Sequence, residues 1–138
     1  MRKTIKILLM FVLTFGFSCE KDGLFVHCPD CTSFEPSETE LVVKLDKTYL
    51  GFYILVNVYE GNLEDNVLFK SVYGTGAEIK ISVSLNKKYT LTASYLRDGK
   101  TYTVISSVMP RVKYESSQCS DPCYFVYDRD VDLNVKYY

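Results

Sequence analysis

The chain has no tryptophan and a single histidine, His27. A Ser–His–Asp triad would have to run through that one imidazole. It lies in a polar stretch beside Cys28, where a solvated or disulfide-flanking role is expected. Positive charge is not in excess: 16 Lys and Arg stand against 17 Asp and Glu. Nucleic acid calls for a basic face, so that partner class is argued against. A phosphate-cradling glycine loop is missing too, because Gly74-Thr75-Gly76 lacks the required strand-to-helix setting. Asp128, Asp130 and Asp132 alternate, yet the Gly and distal Glu of a calcium loop do not follow. They are expected to mark a turn and the solvent side of a strand. Glu64-Asp65 is a loop pair with no partner in sight. No catalytic residue, metal or cofactor is therefore expected, and the chain reads as a non-enzyme. No apolar run reaches the roughly 20 residues that cross a bilayer.

A shorter apolar run is present, and it sets the address. Arg2, Lys3 and Lys6 precede Ile7 to Phe17, which carries no charge and ends at the small residue Ser18. That is the layout of a secretory signal. Gly16-Phe17-Ser18-Cys19 resembles a bacterial lipobox, although Gly16 and Phe17 depart from the usual aliphatic and small residues. The resemblance implies cleavage before Cys19, with diacylglycerol on its thiol and acylation of its amine. Several acyl chains at about 0.8 kcal/mol per buried methylene anchor firmly. The alternative is an ordinary signal cut nearby, with Cys19 left as an odd thiol. Glu20-Lys21-Asp22 resembles the short acidic export signals of some Bacteroidota-type surface lipoproteins; a plain solvated tether reads equally well. The expected organisation is a leader over 1–18, a lipid-anchored tether over 19–39 and one domain over 40–138. Without Arg2, Lys3 and Lys6, 13 Lys and Arg remain against 17 Asp and Glu, a net of −4. Localisation follows as the cell envelope, an outer-membrane lipoprotein facing the periplasm or the surface.

The address decides how the other cysteines are read. Cys28 and Cys31 lie at one end of the mature chain, Cys119 and Cys123 near the other. Outside the cytoplasm close thiols are expected as disulfides. Four cysteines allow three connectivities. Cross-pairing, which closes a long loop, is favoured; local pairing of 28 with 31 and 119 with 123 would only stiffen two turns. A Cys₄ zinc site has the right knuckle spacing, but Thr32 follows where a knuckle prefers Gly. A reactive Cys-x-x-Cys would open a helix in a βαβ pattern, and none is visible.

Beyond Glu40 the pattern has period 2. Leu41, Val43 and Leu45 alternate with polar neighbours, as do Ala77, Ile79, Ile81, Val83 and Leu85. Gly51 to Glu60 is apolar on both faces and is expected as a central strand; Val67 to Tyr73 follows as the third strand, closed by Gly74-Thr75-Gly76. Tyr89, Leu91, Ala93 and Tyr95 lead to Asp98-Gly99, a type I′ hairpin signal. Tyr102, Val104, Ser106 and Val108 return, and Pro110 ends the strand. Arg111 to Pro122 is expected to be irregular. Cys123–Tyr127 and an alternation from Val131 to Tyr137 close the chain. About seven to eight short strands, with a turn every 8–12 residues, predict an all-β fold, an antiparallel β-sandwich.

Val56-Asn57-Val58-Tyr59-Glu60-Gly61-Asn62, Leu85-Asn86-Lys87-Lys88-Tyr89-Thr90-Leu91-Thr92-Ala93, Cys119-x-x-x-Cys123-Tyr124 and Val131-Asp132-Leu133-Asn134-Val135 resemble segments of small Bacteroidota-type outer-membrane lipoproteins of uncharacterised function. That resemblance covers nearly the whole chain. It implies an immunoglobulin- or transthyretin-like sandwich with a Cys pair after the lipobox and another before the last strand. It carries no functional motif.

Tyrosine is abundant, at 12 residues. Tyr53, Tyr59, Tyr95, Tyr114, Tyr124, Tyr127, Tyr137 and Tyr138 are too many for one core. Cross-strand aromatic pairing accounts for most of them, and exposed ones offer contact area for sugars or proteins. The sequence names no ligand-binding residue. The expected role is a non-catalytic lipid-anchored module with an unidentified envelope-protein partner. The alternative is a small ligand- or glycan-binding surface lipoprotein using exposed tyrosines.

Overall fold

Nine strands form among the residues described by the structure, a computed structural model covering 28–119 and 121–136. The expected leader, Cys19, Glu20-Lys21-Asp22, His27, Tyr137 and Tyr138 lie outside the described residues. No helix among the described residues is long and apolar enough to cross a membrane.

The strands are β1 (Glu38–Leu45), β2 (Ile54–Glu60), β3 (Leu68–Gly74), β4 (Glu78–Ser84), β5 (Tyr89–Arg97), β6 (Lys100–Val108), β7 (Arg111–Glu115), β8 (Cys123–Tyr127) and β9 (Asp130–Leu133). One sheet has the order β4-β1-β9 and the other β3-β2-β5-β6. Their inner faces are the alternating apolar positions. Leu41, Val43, Leu45, Ile81, Val83, Val131 and Leu133 meet Ile54, Val56, Val58, Tyr89, Leu91, Ala93 and Tyr95 in one buried cluster. The all-β sandwich is thus built on the period-2 pattern. β2 is central, between β3 and β5. Asp98 and Gly99 both take positive φ, 52° and 73°, in the two-residue turn between β5 and β6. Gly74 permits a close approach of the sheets, since a Cβ there would sit 2.5 Å from Leu45 Cδ1.

Four features differ from the sequence reading. First, β1 and β9 pair in parallel, with Val43 opposite Val131, although every other strand pair is antiparallel. Side-chain alternation is the same in both directions, so it carries no record of strand polarity. Second, Arg111–Glu115 is a strand, not loop, and pairs with β8 from Arg111 opposite Tyr127 to Glu115 opposite Cys123. Its alternation is short and charged, and the hairpin stands outside the sandwich core, so no apolar face announced it. Third, the last strand stops at Leu133; Val135 is off the ladder and packs against the core. Fourth, the described part of the expected tether is fastened to the domain. Thr32 and Tyr124 exchange two backbone hydrogen bonds of 3.0 Å, and β1 starts at Glu38.

The cysteines are cross-paired, Cys28 with Cys119 and Cys31 with Cys123. They clasp the N-terminal segment to the β7–β8 hairpin. Pro110 ties that hairpin back to the sandwich, because its carbonyl accepts from Asn86 N–H at 2.8 Å. The sandwich therefore has two unlike ends. The starts of β1, β5 and β9 and the clasp share one. The ends of β1, β3 and β9, the start of β2 and the β5–β6 turn share the other.

Candidate functional site: an aromatic corner opposite the clasp

The end remote from the clasp is ordered from inside by Tyr95. Its ring is fully buried, and its hydroxyl donates to the Leu133 carbonyl at 2.7 Å while accepting from Asp46 N–H at 3.2 Å. One phenol thereby joins β5, the end of β1 and the end of β9. Burial pushes its ionisation up.

Asp46 continues the network. Its Oδ1 accepts from Thr48 N–H at 2.8 Å, capping the 3₁₀ turn Lys47–Tyr49, and its Oδ2 accepts from Val135 N–H at 3.2 Å. Burial opposes the charge, but the hydrogen bonds from Thr48 and Val135 outweigh it and hold the carboxyl below its ordinary value. A depressed folded-state value means that the stabilisation is complete above the unfolded value of 3.8 and fades as pH falls through and below it. Asp46→Ala should cost about 1–2 kcal/mol at pH 7 through loss of the cap and its partner. The deficit relative to wild type should shrink below pH 4, which urea titrations at pH 7 and pH 3 would read.

This scaffold turns the following loop outward. Tyr49 packs against Tyr95 with tilted rings 4.9 Å apart and meets Phe52 edge-on at 6.4 Å. Gly51, at φ 85°, donates to the Thr75 carbonyl at 2.9 Å and locks the loop to the β3–β4 turn. Leu50, Phe52 and Tyr53 are left exposed, Tyr53 at 79%. Tyr53 meets Tyr73 edge-on at 6.4 Å, and Tyr73 lies opposite Leu55. Leu55 lies opposite Ser94, so continuing that register two residues further sets Tyr53 across from Leu96, which is 69% exposed. Tyr53, Leu55, Tyr73 and Leu96 are thus neighbours on the outer face of the four-stranded sheet, at its far corner, with Phe52 and Leu50 on the adjoining loop.

The other sequence candidates separate. Tyr95 is core, and so is Tyr89, whose hydroxyl accepts from Ser84 N–H at 3.1 Å. Tyr114 and Tyr124 pair at 5.0 Å on the hairpin, at the opposite end from Tyr53. Tyr59 and Tyr127 are half-buried. Asp128 occupies a turn at φ 55°, while Asp130 and Asp132 face solvent from β9. Cys31, Cys119 and Cys123 bring their sulfurs within 4.8 Å of one another, all spent in the two disulfides. Among the described residues, displaced ionisations also occur at Lys87 beside Glu60, Glu115 beside Ser117 and Asp132 beside Asn134. Each is set by a near neighbour, and they do not converge on one cavity. Sequence reasoning missed Tyr73, Phe52 and Leu96 as members of the corner. Alternation assigns a face, whereas membership of a corner depends on which strand ends meet.

Comparison with family models, with curated proteins and with solved structures returns no match for this chain.

Proposed function

We propose that the chain is a non-catalytic module of the cell envelope, an outer-membrane lipoprotein that presents its aromatic corner to another envelope protein. The observation that carries this reading is the polarity of the molecule. The clasp holds the N-terminal side of the domain at one end, and the aromatic corner sits at the other. Cys28 follows Cys19 by nine residues, so a lipid on Cys19 keeps the clasp within about 30 Å of the bilayer. The eight-residue strand β1 separates the clasp end from the corner end by about 26 Å. Two tyrosines, a phenylalanine and three leucines on a sheet corner offer aromatic and apolar anchors, and aromatic anchors are enriched among the residues that dominate protein interfaces.

The alternative, a glycan-binding surface lipoprotein, draws on the exposed Tyr53–Tyr73 pair. Among the described residues, Tyr53 and Tyr73 are the exposed tyrosines of that sheet face, beside aliphatic neighbours, so a protein partner is preferred.

The test has two arms. A palmitate analogue should label the wild-type chain and leave Cys19→Ala unlabelled; equal labelling would remove the anchor. Photo-crosslinking in intact cells should yield a protein adduct that falls about tenfold or more in the triple variant Tyr53→Ser, Tyr73→Ser, Leu96→Ser. An adduct indifferent to those substitutions would overturn the protein reading, and one competed away by envelope oligosaccharide would favour the glycan.

A further inference from the structure

Strand β6 is the unusual edge of this molecule. It is nine residues long and pairs in unbroken register with β5, from Tyr89 opposite Val108 to Arg97 opposite Lys100. Among the described residues no strand pairs with its other side. Counting from the two-residue turn at Asp98-Gly99, the ladder alternation points the N–H and C=O groups of Lys100, Tyr102, Val104, Ser106 and Val108 at β5. Those of Thr101, Thr103, Ile105 and Ser107 point away from it. A groove of about 450 Å³ runs beside this edge, between β6 and the β9 end, where Asp132 and Lys136 contribute one charge of each sign.

An exposed flat edge is a template for another strand, and folds usually blunt it with charge, proline, a bulge or shortness. The other edges of the two sheets carry such devices. β3 has a register break opposite Val58/Tyr59 and carries Lys70. β4 carries Glu78 and Lys80. β9 is four residues long and carries Asp130 and Asp132. Between Lys100 and Val108, β6 has no charge, no proline and no break: Thr-Tyr-Thr-Val-Ile-Ser-Ser.

We infer that β6 is the pairing edge for a second copy of this chain, joined antiparallel across a two-fold axis at Val104. That register sets Thr101 opposite Ser107 and Thr103 opposite Ile105, the residues whose backbone groups point outward, in both copies at once. It also sets Lys100 opposite Val108, so no like charges meet and every pair is compatible. The two four-stranded sheets merge into one of eight strands. Tyr53, just before β2, and Tyr73 on β3 lie on the far side of the sheet from the joined edge and remain open for a partner.

The experiment uses the full chain purified in mild detergent, with mass measured by light scattering and sedimentation across a concentration series. A dimer of protein chains is expected, and amide exchange over 100–108 should slow as concentration rises. Thr103→Pro removes an outward N–H and leaves the β5 ladder intact, and it should weaken dimerisation about tenfold or more. The double variant Thr103→Lys, Ile105→Lys sets like charges directly opposite twice and should be monomeric, with wild-type circular dichroism because both side chains are exposed. A wild-type monomer at the highest concentration would overturn the inference. So would a dimer that survives both variants.

Discussion

Removing both disulfides should destabilise the protein by more than the sum of removing each alone. Each bridge joins residues 91 or 92 apart. In the chain-entropy treatment, a loop of that length contributes about 4.6 kcal/mol by constraining the unfolded chain. Once one bridge is in place, however, the other closes only the short stretches 28–31 and 119–123, for about 2.5 kcal/mol. Cys28→Ala with Cys119→Ala should therefore cost about 2.5 kcal/mol, and so should Cys31→Ala with Cys123→Ala. All four substitutions should cost about 7 kcal/mol, which is comparable to the whole stability of many domains. Denaturant midpoints with the slope monitored would read this. Two equal costs that simply add would show that the bridges do not share one loop. The functional consequence is local as well: Thr32 and the hairpin would lose their fastening, and with it the fixed relation between the N-terminal segment and the sandwich.

Tyr95 should be the most costly single side chain at the far end. Tyr95→Ala empties a fully buried aromatic site shared by both sheets and should cost about 4 kcal/mol. Tyr95→Phe keeps the ring but leaves the Leu133 carbonyl and Asp46 N–H without their partner, for about 2 kcal/mol. The two variants separate packing from hydrogen bonding, and thermal or urea unfolding reads both. Because burial raises the phenol's folded-state value, its favourable contribution is complete below the unfolded value of 10.0 and is lost as pH rises past it. The phenylalanine variant should lack that alkaline component. Tyr49 rests on Tyr95, and the loop carrying Phe52 and Tyr53 follows it. Partner capture through the corner should therefore fall in Tyr95→Ala even though Tyr95 is not exposed. If capture is retained while stability drops, the loop is held by other contacts.

Much of the fold could be read from the chain, residue by residue. The inward sets Leu41-Val43-Leu45, Ile81-Val83 and Tyr89-Leu91-Ala93-Tyr95 came directly from alternation, and all are buried. Asp98-Gly99 announced its turn because few residues other than Gly, Asn and Asp accept positive φ at low cost. The far corner was not readable in the same way. Tyr53 was singled out as surplus to a core, but its neighbours Tyr73 and Leu96 are 20 and 43 positions away in sequence. Tyr95 shows the converse: alternation alone set it inward, and its hydrogen bonds to Asp46 and Leu133 make burial of the hydroxyl acceptable.

The sequence by itself determined which residues face inward, where the tight hairpin turns and that Cys28, Cys31, Cys119 and Cys123 come as two close pairs. These are local properties, carried by period and by the conformational limits of single residues. Only the tertiary structure decided that Cys28 meets Cys119, that β1 and β9 run parallel, that β7 exists and that clasp and aromatic corner occupy opposite ends. Each of those depends on segments far apart in the chain, brought together by burial of a shared core rather than by anything written within either segment.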